Sequence, residues 1–233
     1  MARILIVEDD VELNAITKAY LVHAGFDTVS AFSCHDAETI LETSEVDLIL
    51  LDMMLPDQWG TALCQRIREK SVCPIIFVSC IDDKQTMLDA FEVGGDDYMV
   101  KPVDYDQMIA KINVILRRIS YYAERSREQA VVRVYRQFTV DTERRRVTRT
   151  VGESQNVELS PIEYQLLAYM VENQDNLLLY ADLYSNVWGN DAVGDVRTVM
   201  VHISNLRKKI DPQQTGMITT VRGAGYFFSD VAG

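Results

Sequence analysis

The first 120 residues predict a doubly wound α/β domain built on a five-stranded parallel sheet, and the remainder predicts a smaller α+β domain. Three observations carry this reading. Strand-like and helix-like segments alternate five times before residue 120. Several strand candidates are continuous apolar runs, as strands buried on both faces of a parallel sheet require. After Arg118 the alternation stops, and short strands, three helices and a terminal hairpin follow. A chain of 233 residues accommodates two domains of ordinary size.

The strand candidates of the first domain, residues 1–120, are 3–7, 27–31, 46–51, 74–79 and 98–100. Helical stretches lie near 10–24, 35–44, 58–69, 82–93 and 104–119, which completes five β-α repeats. Residues 121–131 are mostly polar and read as a linker, or as a fraying extension of the preceding helix. The second domain, 132–233, opens on short strands around 131–135, 138–140 and 146–148. Ser160-Pro161-Ile162-Glu163 is a strong helix start: Ser160 can cap, Pro161 suits the first turn, and Glu163 can close a capping box. That helix runs to about Glu172, a second covers 181–188, and a third covers 195–210 and stops at Asp211-Pro212. Segments 217–221 and 226–228 flank Arg222-Gly223-Ala224-Gly225 as a hairpin.

Composition narrows the function classes. With 48% apolar and 25% charged residues, the chain fits the globular class. No apolar run approaches the roughly 18 residues that span a bilayer. No signal-peptide core is visible, so a cytoplasmic location is the default and no membrane partner is expected. Cys34, Cys64, Cys73 and Cys80 are scattered without a CxxC pair, and read as reduced thiols. The net charge of −12 falls almost wholly on residues 1–120, which hold 21 acids against 10 Lys/Arg. The second half, with 14 against 13, needs a local basic patch to bind nucleic acid.

In open parallel sheets, ligands bind beyond the carboxyl ends of the strands. Here those ends carry Glu8-Asp9-Asp10, Asp52, Ser79 and Lys101-Pro102. Clustered carboxylates repel one another, and a divalent cation resolves the repulsion. All-oxygen ligands with room for water and a phosphoryl group suit Mg²⁺. A carboxylate can attack phosphorus to give an acyl phosphate, while a metal and a lysine neutralise the transferring group.

Residues 1–119 resemble the receiver domains of two-component systems, whose sheet is flavodoxin-like. The likeness rests on Ile4-Leu5-Ile6-Val7-Glu8-Asp9-Asp10, Leu50-Leu51-Asp52-Met53-Met54-Leu55-Pro56 and Gly94-Gly95-Asp96-Asp97-Tyr98-Met99-Val100-Lys101-Pro102. The resemblance implies that Asp52 accepts phosphate from a sensor histidine kinase. Asp9, Asp52 and the main-chain carbonyl of Met54 would hold Mg²⁺, with Glu8 acting through water. Lys101 would pair with the phosphoryl group, and Ser79 and Tyr98 would form a coupled switch. Gly95 stands where the family usually has Ala. Ile81 and Met54 occupy positions that set phosphoryl lifetime in the family, and two apolar residues there would restrict attacking water.

Residues 132–229 resemble the winged-helix effector domain of the OmpR/PhoB response regulators. The matching stretches include Leu159–Leu167, Val187-Trp188-Gly189, Arg197–Lys209 and Thr220–Tyr226. On the third helix, Val199, Ile203, Leu206 and Ile210 recur at helical spacing as a core face. Thr198, Val201, His202 and Asn205 are expected on the other side, with Arg197, Arg207, Lys208 and Lys209 around them. Lys/Arg would anchor phosphates of double-stranded DNA, and Asn205 could pair with adenine. Arg222, with Thr220 beside it, resembles the wing arginine that enters the minor groove. Arg144-Arg145-Arg146 reads as a solvated turn.

In this family, active receivers pair through their fourth helix, fifth strand and fifth helix. The residues at that face are Met87, Asp96, Asp97, Gln107, Lys111 and Arg118, with Asp97 able to meet Lys111 and Asp96 to meet Arg118. The implied function is a phosphorylation-dependent homodimer that binds repeated DNA half-sites and regulates transcription, with RNA polymerase as a further partner. It is not an enzyme beyond a slow autodephosphorylation. Two other readings stay open: a phosphatase working through a phospho-aspartate, and a winged helix that binds protein.

Overall fold

The computed structural model describes residues 1–128, 132–142, 144–151, 155–189, 196–213 and 215–230. It divides into two compact units, Met1–Leu116 and Arg117–Gly233. The first unit alternates β1 (Arg3–Val7), α1 (Val11–His23), β2 (Asp27–Ala31), α2 (Cys34–Thr43), β3 (Leu48–Asp52), α3 (Gly60–Arg68), β4 (Ile75–Ser79), α4 (Lys84–Glu92), β5 (Asp97–Val100) and α5 (Tyr105–Glu128). The five strands are all parallel, in the order β2-β1-β3-β4-β5. This is the doubly wound arrangement expected from the sequence. The order reverses between β1 and β3, where such sheets bind ligands. β3 and β4 are buried along their whole length, which explains their unbroken apolar runs.

Helix starts follow local chemistry. Asp10 caps α1 by accepting from the backbone N–H groups of Glu12 and Leu13 at 2.9 and 3.0 Å. Asp83 caps α4 in the same way, through Gln85 and Thr86. The polar stretch after Arg118 does not break the chain into a linker at 121: α5 runs on to Glu128. The rest of that stretch, 129–131, lies outside the described residues.

The second unit contains β6 (Val132–Val134), β7 (Phe138–Asp141), β8 (Arg146–Arg149), β9 (Gln155–Val157), α6 (Pro161–Glu172), β10 (Leu177–Leu179), α7 (Tyr180–Trp188), α8 (Val196–Ile210), β11 (Ile218–Val221) and β12 (Gly225–Phe228). β6 to β9 form an antiparallel sheet in chain order, and β10-β12-β11 form a second sheet. β9 and β10, each three residues long, add to the strands expected from the sequence. The predicted capping box at α6 is present: Glu163 N donates to Ser160 Oγ at 3.3 Å, and Ser160 N donates to Glu163 Oε2 at 2.8 Å. Val199, Ile203, Leu206 and Ile210 are fully buried in one core with Phe138, Leu166 and Phe228. Among the described residues, no helix is long and apolar enough to cross a membrane. Cys34 and Cys64 are buried, Cys73 is partly buried and Cys80 is exposed. Burial pushes the thiols of Cys34, Cys64 and Cys73 up to about 12, which makes them inert.

The departure at Gly95 has a packing cause. A Cβ there would lie 2.7 Å from the Phe77 ring and 2.8 Å from the Ala90 carbonyl oxygen. The large ring of β4 thus requires the missing side chain at the start of β5. Gly95→Ala should destabilise the first unit by about 1–3 kcal/mol through overpacking. Adding Phe77→Leu should recover part of that loss, measured by hydrogen exchange of β4 and β5 in rising urea. A double variant as unstable as the sum of the single changes would contradict the coupling.

Candidate functional site

The carboxyl edge of the five-stranded sheet gathers the charged groups. Asp52 ends β3, Ser79 ends β4, Glu8 follows β1, and Lys101 follows β5. Glu8, Asp52 and Ser79 are buried, at 6, 6 and 0% exposure. Asp9 is exposed. The Lys101 ammonium donates to Glu8 Oε2 at 2.6 Å and also to Asp52 Oδ2. The other Asp52 oxygen accepts from Met54 N at 3.0 Å. Burial, the largest influence, pushes the Glu8 carboxyl above its usual range; Lys101 opposes this and the Asp52 charge adds to it. Burial also works against the charge on Lys101. Its hydrogen bonds to Asp52 and Glu8 outweigh that and hold the ammonium above its ordinary value.

One carboxylate oxygen from each of Glu8, Asp9 and Asp52 lies within 4.8 Å of the others. Three hard oxygen donors at that spacing, with Asp9 open to solvent, fit a Mg²⁺ ion that keeps several of its waters. Asp10, the third acid of the run, is spent on capping α1. Asn14 fixes the first loop instead: its Nδ2 donates to the Glu8 carbonyl at 3.2 Å, and its Oδ1 accepts from Ser30 Oγ at 2.7 Å.

Ser79 and Tyr98, expected as a coupled switch, are joined through Ile81. Tyr98 is buried, and its hydroxyl donates to the Ile81 carbonyl at 2.7 Å. Ile81 N donates to Ser79 Oγ at 3.2 Å. The backbone of one residue therefore ties the hydroxyl at the end of β4 to the aromatic of β5. Met54 is 48% exposed and Ile81 is partly exposed, so both stand at the rim of the site.

Two positioning residues were not legible in the sequence. Gly60 packs so closely under Asp52 that a Cβ would lie 2.1 Å from the Asp52 carbonyl oxygen. Asp57 reaches from the same loop to the start of α2, where it accepts from Cys34 N and His35 N, both at 3.0 Å. Both depend on contacts made only once the chain has folded, and no local pattern marks them.

The face expected for receiver pairing is only partly as foreseen. Asp96 is fully buried. It accepts from Arg68 Nη2 at 2.7 Å and from Ile75 N at 2.9 Å. It is therefore a structural anion rather than a surface partner for Arg118. Arg118 itself donates to the Ser185 carbonyl at 2.8 Å. Asp97 and Lys111 do meet, but within one chain, at 2.5 Å. Met87 is partly exposed and Gln107 is exposed.

In the second unit the expectations for α8 need correction. Thr198, His202 and Asn205 are buried, at 5, 2 and 8% exposure. They recur at i, i+4 and i+7 and form a stripe beside the core stripe, so the helix buries two adjacent rows. The His202 ring lies 5.3 Å from that of Trp188. An adenine contact by Asn205 loses its premise. The outward arc is instead Arg197, Met200, Ser204 and Lys208, with Val201 at its margin. Lys209 is not wholly free for the outer face: its ammonium donates to the buried Glu163 at 2.6 Å. Arg207 turns to the hairpin, and Arg222 stands exposed at the hairpin tip beside Gly223, whose φ is +75°. Arg145 is not simply solvated either, for its guanidinium lies 4.9 Å over the Tyr164 ring.

Comparison with known proteins agrees with this geometry. The response regulator receiver domain matches residues 4–113, and the C-terminal domain of transcriptional regulatory proteins matches residues 154–228. The sensory transduction protein RegX3 of Mycolicibacterium smegmatis is 35% identical over 228 residues, covering 97% of this chain and 98% of its own. The transcriptional regulatory protein ResD of Bacillus subtilis is 32% identical over 231 residues, covering 97% and 95%. A cysteine-to-serine mutant of RitR has a similar solved structure, with a TM-score of 0.80 at 26% identity over 99% of this chain and 100% of that one. The chain belongs to the two-component response regulators and carries a receiver domain followed by a DNA-binding domain of the OmpR/PhoB type.

Proposed function

We propose that Asp52 is the phospho-acceptor of this response regulator and that its phosphorylation drives pairing of two chains on repeated DNA half-sites. The observation that carries this reading is the part-buried Lys101 ammonium shared by Glu8 and Asp52 at the switch point of the sheet. A carboxylate oxygen of Asp52 attacks the phosphorus of a phosphohistidine. The P–O bond forms, the P–N bond breaks, and the imidazole leaves as the kinase histidine. Lys101 then moves its charge from the carboxylate to the new phosphoryl oxygens. Asp9, Asp52 and the Met54 carbonyl, with Glu8 beside them, would hold Mg²⁺, which when bound neutralises charge on the transferring group. Ser79 donates its hydroxyl to the phosphoryl group, and Ile81 passes that movement to Tyr98.

Pairing would use Met87, Gln107 and the Asp97–Lys111 pair; Asp96 and Arg118 drop out of the scheme. On DNA, Arg197 and Lys208 would take phosphates and Ser204 would face base edges, with Arg222 in the minor groove. The exposed arc of α8 and the exposed hairpin tip support this assignment.

Two outcomes test the reading. Light scattering with Mg²⁺ and beryllofluoride should find a monomer-to-dimer shift in wild type and none in Asp52→Ala. An equal shift in both proteins, or none in wild type, would remove phosphate-driven pairing. Ile81→Arg should admit water to the acyl phosphate and speed loss of label from Asp52 about fivefold, a barrier change of ~1 kcal/mol. Loss no faster than in wild type would reject the apolar rim formed by Met54 and Ile81.

A further inference from the structure

Arg207 belongs to α8 but spends its guanidinium on the hairpin. Its Nε donates to the Ile218 carbonyl at 3.0 Å, and its Nη2 donates to Thr220 Oγ1 at 2.9 Å. The same group lies 5.2 Å over the Tyr226 ring. Ile218 and Thr220 are on β11, and Tyr226 is on β12, where it faces Thr220 in register. One planar side chain therefore grips both strands of the hairpin, and Thr220 is only two residues from Arg222.

The setting makes that grip consequential. β11 is the edge strand of its sheet, paired only with β12. β12 is fixed from its other side by β10: a Cβ on Gly225 would lie 1.9 Å from the Leu178 carbonyl oxygen, and Tyr180 N donates to the Ala224 carbonyl at 3.1 Å. The outer strand, which leads directly into Val221 and Arg222, meets α8 through Arg207. Tyr226 stays in place under the guanidinium, buried and stacked edge-on against Tyr180 at 5.5 Å.

We propose that Arg207 is a positioning residue: it sets the hairpin, and with it Arg222, against α8 so that both reach the same duplex. It does not serve as an independent phosphate anchor. Lysine cannot replace it. A single ammonium offers neither the planar fork that reaches Ile218 and Thr220 together nor the flat face that stacks on Tyr226. This inference rests on the reading that Arg222 contacts DNA.

The test is a double-mutant cycle on the full chain, treated with acetyl phosphate and Mg²⁺. The probe is a duplex recovered by the wild-type chain from a random-sequence pool, and binding is read by fluorescence anisotropy. Arg207→Met and Arg222→Ala should each weaken binding about tenfold or more. The double variant should bind within about twofold of the weaker single variant, because both changes remove one contribution. Arg207→Lys should bind no better than Arg207→Met. The cycle is repeated with Arg207→Lys, so that a destabilised Arg207→Met does not decide the result. Losses that multiply in the double variant, or wild-type binding by Arg207→Lys, would make Arg207 an ordinary phosphate contact and overturn the proposal while leaving Arg222 in place. Unchanged binding by Arg222→Ala would overturn the role of the hairpin arginine and this inference together.

Discussion

The Lys101 ammonium lies between the buried carboxylates of Glu8 and Asp52, and the first unit is arranged to bring these three groups to one point. They stand at the carboxyl ends of β1, β3 and β5, which open on one edge because all the strands run parallel in the order β2-β1-β3-β4-β5. Each side chain is about one-tenth exposed or less. Removing Lys101 from such a set leaves two nearly buried carboxylates uncompensated, at a cost of about 3–5 kcal/mol. These charges thus help to fix the site's geometry. Gly60 and Asn14 hold the loops that present Asp52 and Glu8, so the geometry does not depend on the charges alone.

Sequence reasoning reached the parts of this design that are local. Strand-end acids, the Ser160–Glu163 capping box and the apolar row Val199, Ile203, Leu206 and Ile210 each follow from spacing along one element. It did not reach the parts set by neighbouring elements. Asp96 and Asp97 are adjacent and look alike in sequence. In the fold, Asp96 meets Arg68 of α3 while Asp97 meets Lys111 of α5. The apolar row Val199, Ile203, Leu206 and Ile210 implies an outer position for Thr198, His202 and Asn205 only if it is the whole buried surface. α8 buries two rows, and nothing in its own spacing reveals that width. Gly95 shows the same limit, since its cause is the ring of Phe77 on another strand.

The second unit uses much of its basic charge internally. Of the run Arg207-Lys208-Lys209, Arg207 braces the hairpin, Lys209 pairs with Glu163, and Lys208 alone stands fully exposed. Arg197 and Arg222 complete the exposed cations of α8 and the hairpin tip, in a domain that is close to neutral. A face with few phosphate contacts would bind weakly as one copy, with a shallow salt dependence. Linking two such domains raises the effective concentration of the second on DNA once the first is bound. Under the proposed function, such an effector domain and phosphorylation-driven pairing would suit one another: occupancy of DNA would follow the state of Asp52.

The central claim, that the carboxylate held by Lys101 is the group that takes the phosphoryl, is tested most directly by locating the modification. The full chain is treated with acetyl phosphate and Mg²⁺, trapped with borohydride, digested and read by mass spectrometry. The account predicts modification at Asp52 alone, abolished by chelation of the metal. Modification at another residue, or a yield in Asp52→Ala equal to that of wild type, would contradict it.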